Sequence, residues 1–154
     1  MNLPAAFRGT ASPMIPDLEP SRLPLLVTGI AGVAGYNALS YFQHRYPGQV
    51  FGLRRADNWP LSGEGILGCD IHDRDGLKRL FDQYQFRSVL HSEGTCKLRA
   101  CELNPSLARR VNVEGVASLL ETIGEDPVRL VHLSSDLVFS GNRDGGYTEQ
   151  DQLD

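Results

Sequence analysis

Long apolar runs are missing from this 154-residue chain, and that absence is its first constraint. No stretch approaches the about 20 consecutive apolar residues of a membrane-spanning helix. The chain does not open on a basic segment followed by an apolar one, as a secretory signal would. Cysteine is scarce: Cys69, Cys96 and Cys101 are odd in number and show no Cys-x-x-Cys spacing. His44, His72, His91 and His132 are scattered, so the convergent ligands of a zinc site have no recognisable order and no metal is expected. The thiols read as reduced, and the protein as soluble and cytoplasmic, without a membrane partner. Basic residues are not in excess either. Fifteen Lys and Arg against 19 Asp and Glu leave a net charge of −4, which disfavours nucleic acid as a partner. Any anion must then be held locally, by backbone amides and a few basic side chains. No repeat of solenoid length is visible. What remains is an ordinary globular composition, 41% apolar and 22% charged, at a length suited to one domain with a real core.

Residues 1–22 contain Pro4, Pro13, Pro16 and Pro20 without sustained periodicity, and read as a flexible leader that contributes little to the fold. Beyond them strands and helices alternate. Strands are expected at about 24–28, 49–53, 66–69, 88–91 and 129–133. A first helix, about 33–46, would turn Ala34, Ala38, Tyr41 and Phe42 inward and stop at Pro47-Gly48. A second begins near Asp73, with Leu77, Leu80, Phe81 and Tyr84 as its buried stripe. A long third starts at Asn104-Pro105, an N-cap followed by proline in the first turn. Its inner face would carry Ala108, Val111, Gly115, Leu119 and Ile123, and Gly124 would close it. Such alternation implies an α/β fold, a doubly wound parallel sheet of Rossmann type spanning 23–154. Right-handed crossovers place strand 1 at the centre, strands 2 and 3 to one side, and strands 4 and 5 to the other.

The chemistry gathers at the carboxyl ends of these strands. Strand 1 runs into Thr28-Gly29-Ile30-Ala31-Gly32-Val33-Ala34-Gly35, directly before a helix. Gly29 suits a tight turn, Gly32 lets the main chain approach a pyrophosphate, and Gly35 lets helix and strand pack closely. The helix N-terminus then offers unpaired N–H groups to the anion. An acidic residue about 20 residues further on normally takes the ribose hydroxyls of NAD. Here Arg54 and Arg55 stand instead, and a guanidinium suits the 2′-phosphate of NADP, so NADP is preferred over NAD. Arg54, directly after the strand, is the better candidate; the alternative is that one or both arginines are solvated. Asp70 either accepts from an adenine amino group or caps the next helix, for which Asp73 is better placed. Asn112, expected on the inner stripe of the long helix, either braces the strand-end loops or contacts the cofactor. His91 and His132 read as satisfied core or rim histidines. Ser134 and Ser135 end strand 5, where a hydroxyl can donate to a carbonyl oxygen as hydride arrives; the alternative is a pair of serines that merely end a strand. No Gly-x-Ser-x-Gly elbow surrounds them.

Together, the glycine motif, Asp70, Asn112-Val113-Glu114-Gly115 and His132-Leu133-Ser134-Ser135-Asp136-Leu137-Val138-Phe139 resemble the successive motifs of extended short-chain dehydrogenases/reductases. The dTDP-4-dehydrorhamnose reductase-like subgroup is most similar, because Tyr147-Thr148-Glu149-Gln150-Asp151 comes after the strand-5 motif. The resemblance covers about 25–154. It implies a cofactor held by Thr28, Gly29, Ile30, Ala31, Gly32, Val33, Gly35, Arg54, Arg55, Asp70, Ile71, Ser92, Asn112 and Ser134, with Ser135 polarising the reacting oxygen. Hydride would pass between a nicotinamide and a carbon of a nucleotide-linked sugar, in a protein that can form a homodimer. Two departures stand out. The family's Tyr-x-x-x-Lys acid/base is missing, since Asp151 stands four residues after Tyr147, the only tyrosine beyond Ser135. His91-Ser92-Glu93-Gly94 replaces small apolar residues over the cofactor. Positioned proton transfer is worth about 10²–10⁴-fold, so the chain alone is expected to be a very poor reductase: the cofactor-binding portion, incomplete at its C-terminal side and ending before the tyrosine segment and the sugar-binding region. The alternative is a non-catalytic, NADP-binding regulatory or interaction protein of the same fold.

Overall fold

A computed structural model describes residues 17–95, 97–135 and 138–153, apart from the side chain of Leu98. Five strands, β1 (Leu25–Thr28), β2 (Val50–Arg54), β3 (Ile66–Gly68), β4 (Ser88–His91) and β5 (Arg129–His132), form one parallel sheet in the order β3-β2-β1-β4-β5. This is the order expected from right-handed crossovers, with β1 central. Pairing runs in register from Leu25 opposite Val50 and Ser88 to His91 opposite His132. Because every pair is parallel, all strands end at the same rim.

Leu25-Leu26-Val27 is apolar throughout because β1 is covered on both faces. Leu25 and Val27 face one side, where they join Ile30, Leu39 and Val50 under α1 (Val33–Arg45). Leu26 faces the other, with Leu53, Leu77, Phe81, Val89, Leu119 and Ile123 under α2 (Arg74–Tyr84) and α5 (Gly115–Ile123). The α2 stripe is as expected: Leu77 and Phe81 are buried, and Leu80 and Tyr84 pack at the margin. Asp73 caps the helix, its Oδ1 accepting from the Gly76 amide at 2.9 Å. The inner face of α1 follows expectation in part, with Ala38 and Phe42 packed against the core. Gly35 and Leu39 are buried, whereas Tyr41 is 41% exposed and Ala34 also faces outward. The helix turns its smallest side chain to the sheet so that its axis can approach β1.

The expected long helix is three segments. After α3 (Leu98–Leu103), which the periodicity did not reveal, α4 (Pro105–Arg109) leads through a π-helical turn, Arg110–Glu114, into α5. Asn104 caps α4 with Oδ1 3.1 Å from the Leu107 amide. The expected stripe holds across these segments, with Gly115, Leu119 and Ile123 buried and Ala108 and Val111 half-buried, while Asn112 lies on the exposed side. The expected flexible leader needs correction over 17–22; its first 16 residues lie outside the described residues. Asp17 pairs with Arg45 at 2.6 Å, the Leu18 amide donates to the Tyr46 hydroxyl, and a 3₁₀ turn at Pro20–Arg22 brings Leu23 into the core. At the far edge, β5 leaves Val131 and Leu133 43% and 46% exposed.

No helix among the described residues is long and apolar enough to cross a membrane. Nor do three or more His, Cys, Asp or Glu side chains among them converge as a metal site.

Candidate dinucleotide site

The turn from β1 into α1 is built by contact with the loop after β4. Gly29 has φ +69°, and a Cβ there would project to within 2.5 Å of the Glu93 nitrogen and 2.6 Å of the Ser92 carbonyl carbon. Only glycine fits both the angle and the space. The Gly32 amide donates to the Gly29 carbonyl at 2.9 Å, closing the turn. Gly35 packs on that same carbonyl. Ser92 ties the two loops together, its hydroxyl donating to the Thr28 carbonyl at 2.7 Å. Ala31, Gly32 and Val33 are left exposed. They open onto a cleft of about 550 Å³ whose walls are residues 30–33, Tyr36 and Asn37 on one side and Asn58, Pro60 and Leu61 on the other. Gly32 is the N-cap of α1, no side chain caps the helix there, and its first turn holds no acidic residue. The N–H groups at the helix start and the positive end of the helix dipole therefore face the cleft with no side-chain acceptor among the described residues.

Not all the sequence-predicted residues face this site with their side chains. The Ile30 and Ile71 side chains are core, Ile30 packing toward Gly52 and Ile71 toward Gly115; only their backbones reach the rim. Arg54 lies over Gly68, its guanidinium 3.1 Å from where a Cβ on that glycine would be. Its Nη1 donates to the Arg55 and Ala56 carbonyls at 2.8 and 2.9 Å, while its Nε is buried with no partner. Arg55 is turned to solvent in a two-bond ion pair with Asp57. Asp70 does not cap α2; its Oδ1 accepts from the His72 amide at 2.9 Å, which shapes the turn.

Asn112 corrects the sequence expectation of a buried amide. From the exposed side of the π turn its amide meets both backbone groups of Thr95, Oδ1 accepting at 2.8 Å and Nδ2 donating at 3.0 Å. It thus mimics a strand partner for the loop just beyond Glu93. Asn112→Ala is expected to cost only about 1 kcal/mol of global stability yet to raise hydrogen exchange of the Thr95 amide. Unchanged exchange at Thr95 would refute this bracing role.

His91 was not legible in full. It is completely buried at the end of β4, with Nδ1 2.7 Å from the Thr28 hydroxyl, and its Nε2 has no partner. Its ring stacks on His132, centroids 5.0 Å apart. It is therefore a half-satisfied core histidine, while His132 lies exposed on the edge strand. Burial first, and the neighbouring His132 second, push the His91 pKa down to about 4, so the ring is neutral at physiological pH.

Ser134 and Ser135 follow β5 after Leu133, exposed, at the same rim as the glycine turn. Two strand spacings, about 10 Å, separate β5 from β1. Asp136 and Leu137 of the strand-5 motif lie outside the described residues. Tyr147 belongs to a separate cluster: it stacks on Phe139 at 4.7 Å, the Arg143 guanidinium lies 4.3 Å above the ring, and its hydroxyl accepts from the Arg143 amide.

Comparison with known proteins agrees with this architecture. The chain is 31% identical over 96 residues to the probable low-salt glycan biosynthesis reductase Agl14 of Haloferax volcanii, covering 59% of this chain and 32% of that one. It is 30% identical over 127 residues to the dTDP-4-dehydrorhamnose reductase of Aggregatibacter actinomycetemcomitans, covering 82% and 40%. Among solved structures, the UDP-glucose 4-epimerase of Stenotrophomonas maltophila, with bound NAD and formylated UDP-arabinopyranose, superposes with a TM-score of 0.71 at 25% identity over 85% of this chain and 42% of that one. The chain thus spans about a third to two fifths of the length of these relatives. The profile of the RmlD substrate binding domain matches residues 23–154, and with a parallel Rossmann-like sheet beneath that match the chain belongs to this family.

Proposed function

We propose that the chain is the dinucleotide-holding portion of a nicotinamide-dependent reductase or epimerase acting on a nucleotide-linked sugar. The observation that carries this reading is the uncapped N-terminus of α1 behind the positive-φ turn at Gly29, open to a cleft at the rim that also bears Ser135. Exposed amides at a helix start with no side-chain acceptor suit a diphosphate. The reductases and epimerases among its relatives support the reaction class.

A nicotinamide bound along this rim would supply hydride exchange with a sugar carbon. The chain's own residues have separate tasks. The turn amides and the start of α1 hold the diphosphate. Ser135 donates to the reacting oxygen as negative charge develops there. Arg54 supports NADP as the preferred form, because its buried Nε still has a hydrogen to give while Nη1 is anchored by loop carbonyls. A 2′-phosphate is the acceptor such an edge suits.

Titration of the protein with NADPH and NADH tests both parts. Binding of either at sub-millimolar concentration is expected, with NADPH tighter. If neither binds nor shifts the melting temperature, the dinucleotide reading is wrong. Arg54→Ala is expected to weaken NADPH by about tenfold or more, the worth of a charge-assisted hydrogen bond, and NADH much less. Equal losses refute the 2′-phosphate role alone.

A further inference from the structure

Glu93 does not line the cleft itself but stands beside the glycine turn that forms one of its walls, where negative charge opposes a diphosphate. Its backbone is packed directly on the glycine turn, nitrogen and Cα lying 2.5 and 2.8 Å from the position of a Cβ on Gly29. The residue is half-buried, and its carboxylate makes no hydrogen bond or ion pair with another described residue. The charged groups that reach it come from two neighbouring loops. Asp70 on the turn before α2 has the same sign; His72 on that turn and Arg55 after β2 have the opposite one. Burial first and Asp70 second hold the carboxyl above its ordinary range, and His72 and Arg55 offset this only in part. Arg55 is already paired with Asp57.

We propose that Glu93 sets how tightly the cleft accepts an anionic dinucleotide, opposing the diphosphate when charged and admitting it when protonated. The inference rests on the dinucleotide reading above and deepens it. A like charge beside a ligand lowers affinity, and the ligand in turn favours protonation of the group that opposes it. Binding therefore takes up a proton at Glu93 and tightens as pH falls. The glycine turn fixes this arrangement, because the Glu93 backbone cannot withdraw without losing its contact with Gly29.

The test is calorimetric titration of the chain and of Glu93→Gln with NAD⁺, whose diphosphate keeps its charge throughout, and with NADP⁺. At about pH 8, Glu93→Gln is expected to bind on the order of tenfold more tightly than the unaltered protein. The gap should narrow as pH is lowered and the unaltered carboxyl, held above its ordinary range, takes up its proton. Melting temperatures of the free proteins should stay close, which a merely structural role would not require. Equal affinities at the higher pH, or weaker binding by Glu93→Gln, overturn the inference and leave the dinucleotide reading standing. Absence of binding by both proteins at millimolar ligand overturns the two together.

Discussion

Gly35→Ala is expected to destabilise the protein by about 3 kcal/mol or more and to abolish dinucleotide binding. A Cβ at this position would press on the Gly29 carbonyl and come within 2.7 Å of the Ser92 hydroxyl. The carbonyl cannot yield, because the Gly32 amide donates to it to close the turn. Ser92 is equally tied, through its bond to the Thr28 carbonyl. The only relief is to lift α1 off β1, which opens the core at Leu39 and Ile30 and displaces the amides that face the cleft. Gly48 provides the control. It also has positive φ, +73°, but a Cβ there meets nothing within 4 Å, so Gly48→Ala should cost only the backbone strain, about 1 kcal/mol. Urea denaturation of both variants decides the matter. If Gly35→Ala is no more destabilised than Gly48→Ala, close packing of turn and helix is not what Gly35 provides. Adding Ser92→Ala should not rescue Gly35→Ala, since the carbonyl contact remains.

Acid should unfold this protein through His91. Its ring is held neutral with a pKa near 4, against 6.5 for a free imidazole. Between those values the unfolded chain binds a proton that the folded one refuses. The stability linked to His91 is therefore fully present above about pH 6.5 and is lost progressively as pH falls toward 4, up to about 3 kcal/mol in all. Carboxylates add their own acid dependence, so the contribution is isolated by comparison with Thr28→Val/His91→Leu. This double substitution removes both ends of the 2.7 Å hydrogen bond and leaves neither unsatisfied. Its midpoint in urea should fall less steeply between pH 6.5 and 4 than that of the unaltered protein. Parallel curves would mean that His91 is protonated in the folded state without penalty. Thr28→Val alone should be worse at neutral pH than the double variant, by about 1–3 kcal/mol, because both ring nitrogens of His91 are then without partners.

Much of the fold was legible because it is periodic. An apolar run at 25–27, the stripe of Leu77, Leu80, Phe81 and Tyr84, and the caps at Asp73 and Asn104 each depend on neighbours within a few residues. Strand order came from crossover handedness. On α1 the spacing located Ala38 and Phe42 against the core and the glycine motif located Gly35, but Ala34 and Tyr41 turn outward and Leu39 takes the buried place. Asn112 lies off the buried stripe, within the π turn at Arg110–Glu114, and one extra residue in a turn leaves no trace in helical spacing.

For the site, local pattern determined that a glycine turn joins a central strand to a helix start, and that arginines and serines lie just past strands 2 and 5. Those features are set by backbone angles and short-range spacing, which are written residue by residue. Only the tertiary structure decided which groups are still free to bind. Arg55 was lost to Asp57, Arg54 kept a buried donor, Ile71 went to the core, and Glu93 came to rest on Gly29 from a distant part of the chain. Contacts of that separation arise when the sheet closes and excludes water, and it is this exclusion that leaves His91 neutral.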